Sequence, residues 1–95
     1  MKISDLQSYI KENDYNPENL SGYFLKLIEE VGELAVAINK NLVAETRSSF
    51  KGSINEELFD VVYYVLAIAN CYGITLEDCA NTKLKINAEK YGKNS

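Results

Sequence analysis

Apolar residues recur every three or four positions along most of the chain, and no stretch of useful length alternates with the two-residue period of a strand. The clearest run precedes residue 43, where the apolar side chains fall on one helical stripe about 100° wide. This pattern predicts an amphipathic helix over about residues 17–41, with the stripe forming the core. The stripe contains Phe24, Leu27, Ile28, Val31, Leu34, Ala35, Ile38 and Leu42.

Two shorter helices are predicted at the ends of the chain. Ser4 and Gln7 have the spacing of a capping box, which predicts a short accessory helix over about residues 4–11. Thr75 opens another segment with capping-box spacing, which predicts a helix over about residues 75–91. These two helices flank the longer and more apolar ones.

The remaining helix is the most apolar segment of the chain. Ser53 and Glu56 have capping-box spacing and Gly73 supplies a stop, so a helix is predicted over about residues 54–72. Its apolar residues occupy several faces, which indicates burial on several sides, in part against a second subunit. We therefore expect residues 1–95 to form a single all-α domain with a four-helix bundle-type core.

The size and charge of the chain narrow its possible partners. A core of 95 residues buries only about two-thirds of the unfolded surface, so stability is expected to depend on a partner subunit. The net charge of −4 repels nucleic acid and anionic lipid, and the longest apolar run, Val61 to Ala69, falls short of the ~20 residues of a membrane span. Neither nucleic acid nor membrane is an expected partner.

The cysteine and histidine counts narrow the chemistry. Cys71 and Cys79 match neither a CxxC pair nor a disulfide framework, so we expect free thiols in a reducing cytoplasm. The chain has no histidine, which removes the usual general base, the usual zinc ligand and the Glu-x-x-His motif of di-iron bundles. Any hydrolytic chemistry must therefore use carboxylates, lysine, tyrosine and bound water.

Two pairs of acidic residues are the strongest candidates for a site. Glu30 with Glu33, and Glu57 with Asp60, are each three residues apart and so lie on one side of their helices. Antiparallel packing of the two helices would bring the pairs together across a groove, where like charges repel and oxygen ligands suit Mg²⁺. The alternative is a solvated acidic face, as expected of a small helical interaction module without catalysis.

A family resemblance favours the metal. EEVGE at residues 29–33 and ELFD at residues 57–60 resemble the EExxE…ExxD signature of the MazG-like nucleoside triphosphate pyrophosphohydrolases, and the match extends over about Tyr23 to Tyr91. The resemblance implies dependence on Mg²⁺, with Mn²⁺ as a possible substitute, and hydrolysis of a nucleoside or deoxynucleoside triphosphate to the monophosphate and pyrophosphate. It also implies a homodimer or homotetramer with substrate between packed subunits.

The same resemblance assigns roles to the acidic residues. Glu30, Glu33, Glu57 and Asp60 would be the metal ligands. Glu29 and Glu30 would be the catalytic residues, and Glu29 would either hold a second Mg²⁺ or orient the attacking water. Metal already lowers the pKa of its water, so a bare general base is not required.

The last predicted helix supplies positive charge. Lys83, Asn87 and Lys90 share one helical face and are followed by Tyr91, which resembles the K…N..[RK]Y tail of the family. The resemblance implies that these four residues bind the substrate and that the basic groups among them contact its phosphates. The alternative is a terminal helix that carries lysine for solubility and to complement the helix dipole.

Several polar and aromatic residues of the third helix allow two interpretations. Asn70 either reads an edge of the base or ribose, or satisfies a neighbouring backbone group inside the fold. Tyr63, Tyr64 and Tyr72 either stack on a base or act as core and interface aromatics with hydroxyls at the rim.

Overall fold

The computed structural model describes residues 1–92 and contains helices without strands in that range. The all-α prediction is confirmed, and the predicted C-terminal boundary at residue 95 lies outside the described residues. The four α-helices are α1 (Ile3–Asn13), α2 (Leu20–Asn39), α3 (Ile54–Cys71) and α4 (Leu76–Lys90), with short 3-10 turns at Pro17–Asn19 and Arg47–Ser49.

The α2 and α3 helices form the main packed pair of the molecule. The backbone N–H of Ile54 donates to the carbonyl of Leu42 at 2.8 Å, which joins the end of α2 to the start of α3 and makes the pair antiparallel. At the other end of the pair lies a core cluster to which α1 contributes: it consists of Ile10, Tyr23, Leu66 and Ala67. The antiparallel arrangement brings the two acidic segments to the same level.

The apolar stripe predicted for the core is mostly exposed, so that prediction is wrong for the single chain. Phe24 is 54% exposed and Ile28 52%, whereas Tyr23 and Ala37 are the buried residues of α2. The helix turns its Tyr23–Ala37 side toward α3, and this side lies roughly 100° around the axis from the centre of the stripe. The periodicity identified the helix correctly but not its rotation.

The α3 helix also has an apolar face that the chain does not cover. Leu58, Val62 and Val65 are exposed, while Leu66 and Ala67, which directly follow Val65, are buried. The radius of gyration is 15.7 Å, against about 12–13 Å for a compact domain of this length. The single chain is therefore an open arrangement with uncovered apolar faces on its two longest helices.

The start of α1 differs from the predicted capping box. The helix begins at Ile3, and the carboxylate of Asp5 accepts the backbone N–H of Lys2 at 2.9 Å. Gln7 is not at the cap but inside the fold, 7% exposed, so the Ser4–Gln7 spacing was misleading. A buried glutamine needs partners for its amide, and these lie on other helices.

The Gln7 side chain joins α1 to the corner between α3 and α4. Its amide nitrogen donates to the side-chain oxygen of Asn70 at 3.1 Å and to the carbonyl of Ile74 at 2.6 Å. Its amide oxygen accepts the backbone N–H of Leu76, the first residue of α4, at 3.1 Å. Asn70 donates in return to the Gln7 carbonyl at 3.1 Å, which supports the interpretation of Asn70 as an internal structural residue.

The start of α3 has the cap that the sequence predicts. The hydroxyl of Ser53 accepts the backbone N–H of Glu56 at 3.1 Å, and a carboxylate oxygen of Glu56 accepts the N–H of Gly52 at 2.9 Å. Beyond the other end of the helix Gly73 has φ +66°, a conformation that favours glycine and stops the helix. The chain then bends by 100° into α4.

No single helix within residues 1–92 is both long and apolar enough to cross a bilayer. The one combination that meets these requirements, by length and composition only, is the bent pair of α3 and α4.

Candidate metal centre

Three carboxylates from two helices meet between α2 and α3. One oxygen each from Glu30, Glu57 and Asp60 lies within 4.8 Å of the other two. Glu57 is 6% exposed, and Glu30 and Asp60 are half-buried. The antiparallel packing that the sequence analysis required is therefore present, and it places one predicted acidic pair beside the other.

A second group of carboxylates shares Glu30 and faces solvent. Oxygens of Glu29, Glu30 and Glu33 also lie within 4.8 Å of one another, and Glu29 and Glu33 are exposed. Glu29 forms an ion pair with Lys26 one turn earlier, at 3.5 Å. The structure thus brings together all five predicted acidic residues, with Glu30 common to an inner and an outer group.

The inner carboxylates are in an environment that disfavours their charge. Burial raises the pKa of Glu30 to about 8, with further contributions from Glu57 and Glu33. Burial also raises the pKa of Glu57; the contact with Glu30 opposes this shift, whereas Glu33 and Asp60 reinforce it. The pKa of Asp60 is raised by burial and then by Glu56. Without a counter-ion, the packing of α2 and α3 holds these carboxylates together despite the cost of burying their charges and the repulsion between them.

Two oxygens of this cluster lack any hydrogen-bond partner within residues 1–92. They are Oε2 of Glu30 and Oε2 of Glu57, and both are shielded from solvent. Leaving a buried polar atom unpaired costs about 1–3 kcal/mol, and more for a charged group. A cation would satisfy both atoms, and a donor set made only of carboxylate oxygens fits a hard divalent ion such as Mg²⁺.

An open cavity of about 370 Å³ adjoins the cluster. Glu33 and Glu57 form part of its wall, and Lys51 and Gly52 form another part. Lys51 is not among the site residues predicted from the sequence. The available signal was its position two residues before Ser53, the cap of the helix that carries Glu57.

The predicted phosphate-binding residues of α4 are not at this cavity. Lys83, Lys90 and Tyr91 are exposed, Asn87 is half-buried, and none of the four lines the cavity. The ammonium of Lys90 lies over the ring of Tyr91, 5.7 Å from its centroid. In the described chain α4 packs mainly against α1, so the single chain does not bring its cations to the carboxylates.

Two tyrosines belong to a buried network that the sequence did not reveal. The hydroxyls of Tyr23 and Tyr63 donate to the two carboxylate oxygens of Asp14, at 3.0 and 2.7 Å. Burial, reinforced by Asp14, raises the pKa of both phenols. These contacts tie the end of α1 to α2 and α3, which supports the structural interpretation of Tyr63, whereas Tyr72 is exposed.

The comparison with known families agrees with this geometry. The MazG nucleotide pyrophosphohydrolase domain matches residues 18–91, which is most of the chain and includes every carboxylate of the cluster. The chain belongs to the MazG family. The resemblance inferred from the two acidic motifs is confirmed, and this is a family of nucleotide pyrophosphohydrolases that is generally metal-dependent.

Solved MazG structures share the fold at high sequence identity. One crystal structure of iMazG from Vibrio DAT 722 is 51% identical, covers 98% of this chain and 100% of its own, and superposes with a TM-score of 0.92. A second iMazG structure from the same source is 52% identical, covers 92% and 98%, and has a TM-score of 0.88. The uncharacterized protein YvdC of Bacillus subtilis (strain 168) is 30% identical, over 98% of this chain and 95% of its own length.

Proposed function

We propose that this MazG protein hydrolyses a nucleoside or deoxynucleoside triphosphate to the monophosphate and pyrophosphate, with Mg²⁺ as its metal and Mn²⁺ as a substitute. The observation that carries the proposal is the two buried, unpartnered oxygens on Glu30 and Glu57, whose carboxylates approach within 4.8 Å from two helices. Buried polar atoms normally have a hydrogen-bond partner, so two unpartnered carboxylate oxygens support a bound cation. Family membership indicates that the ligand serves nucleotide chemistry.

Glu30, Glu33, Glu57 and Asp60 are the proposed metal ligands. Magnesium bound there supplies charge neutralisation at the phosphates and makes water more acidic. The protein contributes placement: two helices hold the four carboxylates before substrate arrives, so little reorganisation is needed during the reaction.

The proposed reaction is attack by water on the α-phosphorus. The water oxygen forms a bond to that phosphorus as the bond to the oxygen bridging the α- and β-phosphorus breaks. Pyrophosphate leaves with the bonding electrons, and the water proton passes to a carboxylate or to solvent. Glu29 is exposed beside Glu30, where it either orients this water or contributes to a second metal site.

Assembly into a homodimer or homotetramer is part of the proposal. The exposed apolar faces of α2 and α3 provide a surface that a second copy would cover. Within one chain α4 does not reach the carboxylates, so we expect assembly to bring the α4 of one copy to the carboxylates of another. Lys83, Asn87, Lys90 and Tyr91 are proposed to reach substrate phosphates in that assembly. The two free cysteines are compatible with a cytoplasmic location.

A panel of nucleoside and deoxynucleoside triphosphates with Mg²⁺ tests the proposal. The expected products are monophosphate and pyrophosphate, with activity lost on metal chelation and in Glu57→Gln but kept in Glu12→Gln, which alters an exposed carboxylate of α1. Release of orthophosphate would contradict the proposed point of cleavage. No turnover, together with no rise in melting temperature with Mg²⁺, would favour the acidic interaction module instead.

A further inference from the structure

We propose that the side chain of Lys51 binds the terminal phosphates of the polyphosphate, on the same chain as the carboxylate cluster. This inference rests on the proposed function for the identity of the substrate. It adds a site residue that neither acidic motif contains. It also gives each chain one cation of its own for the substrate, independent of α4.

The wall of the cavity beside the cluster contains carboxylates and an ammonium group. The carboxylates are those of Glu33, Glu56 and Glu57, and the ammonium group is that of Lys51. Val36 and Leu42 add apolar surface. A ligand in this space would meet both metal-binding oxygens and an ammonium group, as a metal-bound polyphosphate requires.

The buried side of this cavity requires a ligand. Glu57 is 6% exposed, lines the cavity, and has an Oε2 atom without a hydrogen-bond partner in the described part of the chain. The unsatisfied atom is independent of the lysine. It indicates that the cavity beside Lys51 is a binding site and not a surface irregularity.

Lys51 is free to move onto a ligand. Its side chain is 93% exposed, and its ammonium is 3.9 Å from a carboxylate oxygen of Glu56, at the outer limit of an ion pair. Because the lysine is almost fully exposed and the contact is long, the pair contributes little stability, and exchanging Glu56 for a phosphate costs little.

Charge balance explains why the lysine is needed. The inner and outer carboxylate clusters together carry more negative charge than one divalent ion neutralises, and a triphosphate adds still more. Lys26, on the other side of the cluster, is paired with Glu29. Lys51 is the cation on the cavity side, where the β- and γ-phosphates extend once the α-phosphate is at the metal.

The lining of the cavity favours phosphate over base. Its wall contains no aromatic ring on which a base could stack. Lys51 is the basic side chain in that wall, and an ammonium group pairs with phosphate oxygens. The expected ligand chemistry is therefore polyphosphate, and the base is expected to bind elsewhere.

Calorimetric titration with tripolyphosphate in the presence of Mg²⁺ tests the inference without a turnover step. Lys51→Met should weaken tripolyphosphate binding at least about tenfold, the usual value of one charge-assisted contact, while the affinity for Mg²⁺ alone stays within about twofold. Lys40→Met, at an exposed lysine outside the cavity, is the matched control and should bind as the unaltered protein does. Lys51→Arg keeps the charge and should restore most of the affinity.

The possible results separate the two proposals. Tripolyphosphate affinity unchanged in Lys51→Met, or a loss that Lys51→Arg does not restore, would overturn the inference even if the protein hydrolyses triphosphates. Binding that depends on Lys51 in a protein without turnover would support the inference and reject the proposed reaction. No binding by the unaltered protein would overturn the inference.

Discussion

Between α2 and α3, carboxylates from two helices lie within 4.8 Å of one another, whereas the lysines of α4 stand apart on an exposed helix. The difference follows from packing. The α2–α3 pair is joined along its length, so its ionisable groups are held in place despite their repulsion. The α4 helix has no buried residue and is secured at its start, so its charged side chains are positioned only by the helix itself. The carboxylates between α2 and α3 are already arranged to bind a ligand within one chain. The lysines of α4 need another surface packed against them before they can form a binding site.

Removing one inner carboxylate should give the largest effect. Glu57→Gln keeps the shape of the side chain but removes a buried charge and a proposed ligand, so kcat should fall about 10²–10³-fold or more. Because repulsion within the cluster is relieved, the metal-free protein should melt at the same or a higher temperature. Steady-state kinetics and metal-free thermal melting test both parts. A drop of several degrees in the metal-free protein would show that Glu57 has a structural role instead.

Breaking the connection at the start of α4 should be the next largest effect. Gln7→Ala removes the side chain that bridges Asn70, Ile74 and Leu76, leaving their buried polar groups unpaired at a cost of about 2–3 kcal/mol. Chemical denaturation measures this loss, with Ser8→Ala on the exposed side of the same helix as control. Affinity for Mg²⁺ alone should be nearly unchanged, because α2 and α3 hold the carboxylates. Loss of Mg²⁺ binding would contradict the separation of the two regions.

The pH dependence of the metal-free protein should reveal the strain in the carboxylate region. The pKa of Glu30 is raised by burial from 4.5 to about 8, so between these values the folded protein holds a proton that the unfolded chain releases. Raising the pH through this range therefore destabilises the fold, by a change that should exceed about 5 °C in melting temperature. Thermal melts from pH 5 to 8 test this expectation. Saturating Mg²⁺ or Glu30→Gln should flatten the profile, and a profile that stays steep in Glu30→Gln would assign the effect to another group.

Neutralising a lysine of α4 should have a smaller effect, which changes the binding of substrate but not the binding of metal. Lys83→Met should raise KM for the triphosphate about tenfold and leave Mg²⁺ affinity unchanged. Lys85→Met, two positions away on a different side of the helix, is the control. Size-exclusion chromatography should show the same assembly for all three proteins. An unchanged KM would indicate that α4 lysines serve solubility only.

The smallest effect is expected at Glu56, which competes with phosphate for the ammonium of Lys51. Glu56→Gln keeps an oxygen for the Gly52 N–H but removes the negative charge beside the lysine. Tripolyphosphate binding should tighten by up to about fivefold, in line with the small value of an exposed ion pair. The same calorimetric titration measures it. Weaker binding would show that Glu56 positions Lys51 and does not compete for it.

Much of the fold was predictable because the signals involved are local. Ser53 and Gly73 mark the ends of α3 through backbone geometry that depends on a few neighbouring residues. The acidic pairs lie on their helix faces because of the helical period, and family resemblance in those motifs identified the right family. By contrast, Ser4 and Gln7 matched a capping pattern by spacing alone, and the distant partners of Gln7 on α3 and α4 were not visible from the local sequence.

The sequence by itself determined that the chain is helical, which carboxylates share a helix face, and that no histidine takes part in the chemistry. The tertiary structure decided which side of α2 faces α3, that Glu30 and Glu57 retain unpaired oxygens, and that Lys51 lies at their cavity while α4 does not. The reason is physical: the helical period repeats along the chain and needs only neighbouring residues, but the rotation of a helix depends on what packs against it. With two apolar sides available on α2, only packing against the rest of the chain selects the one that turns inward.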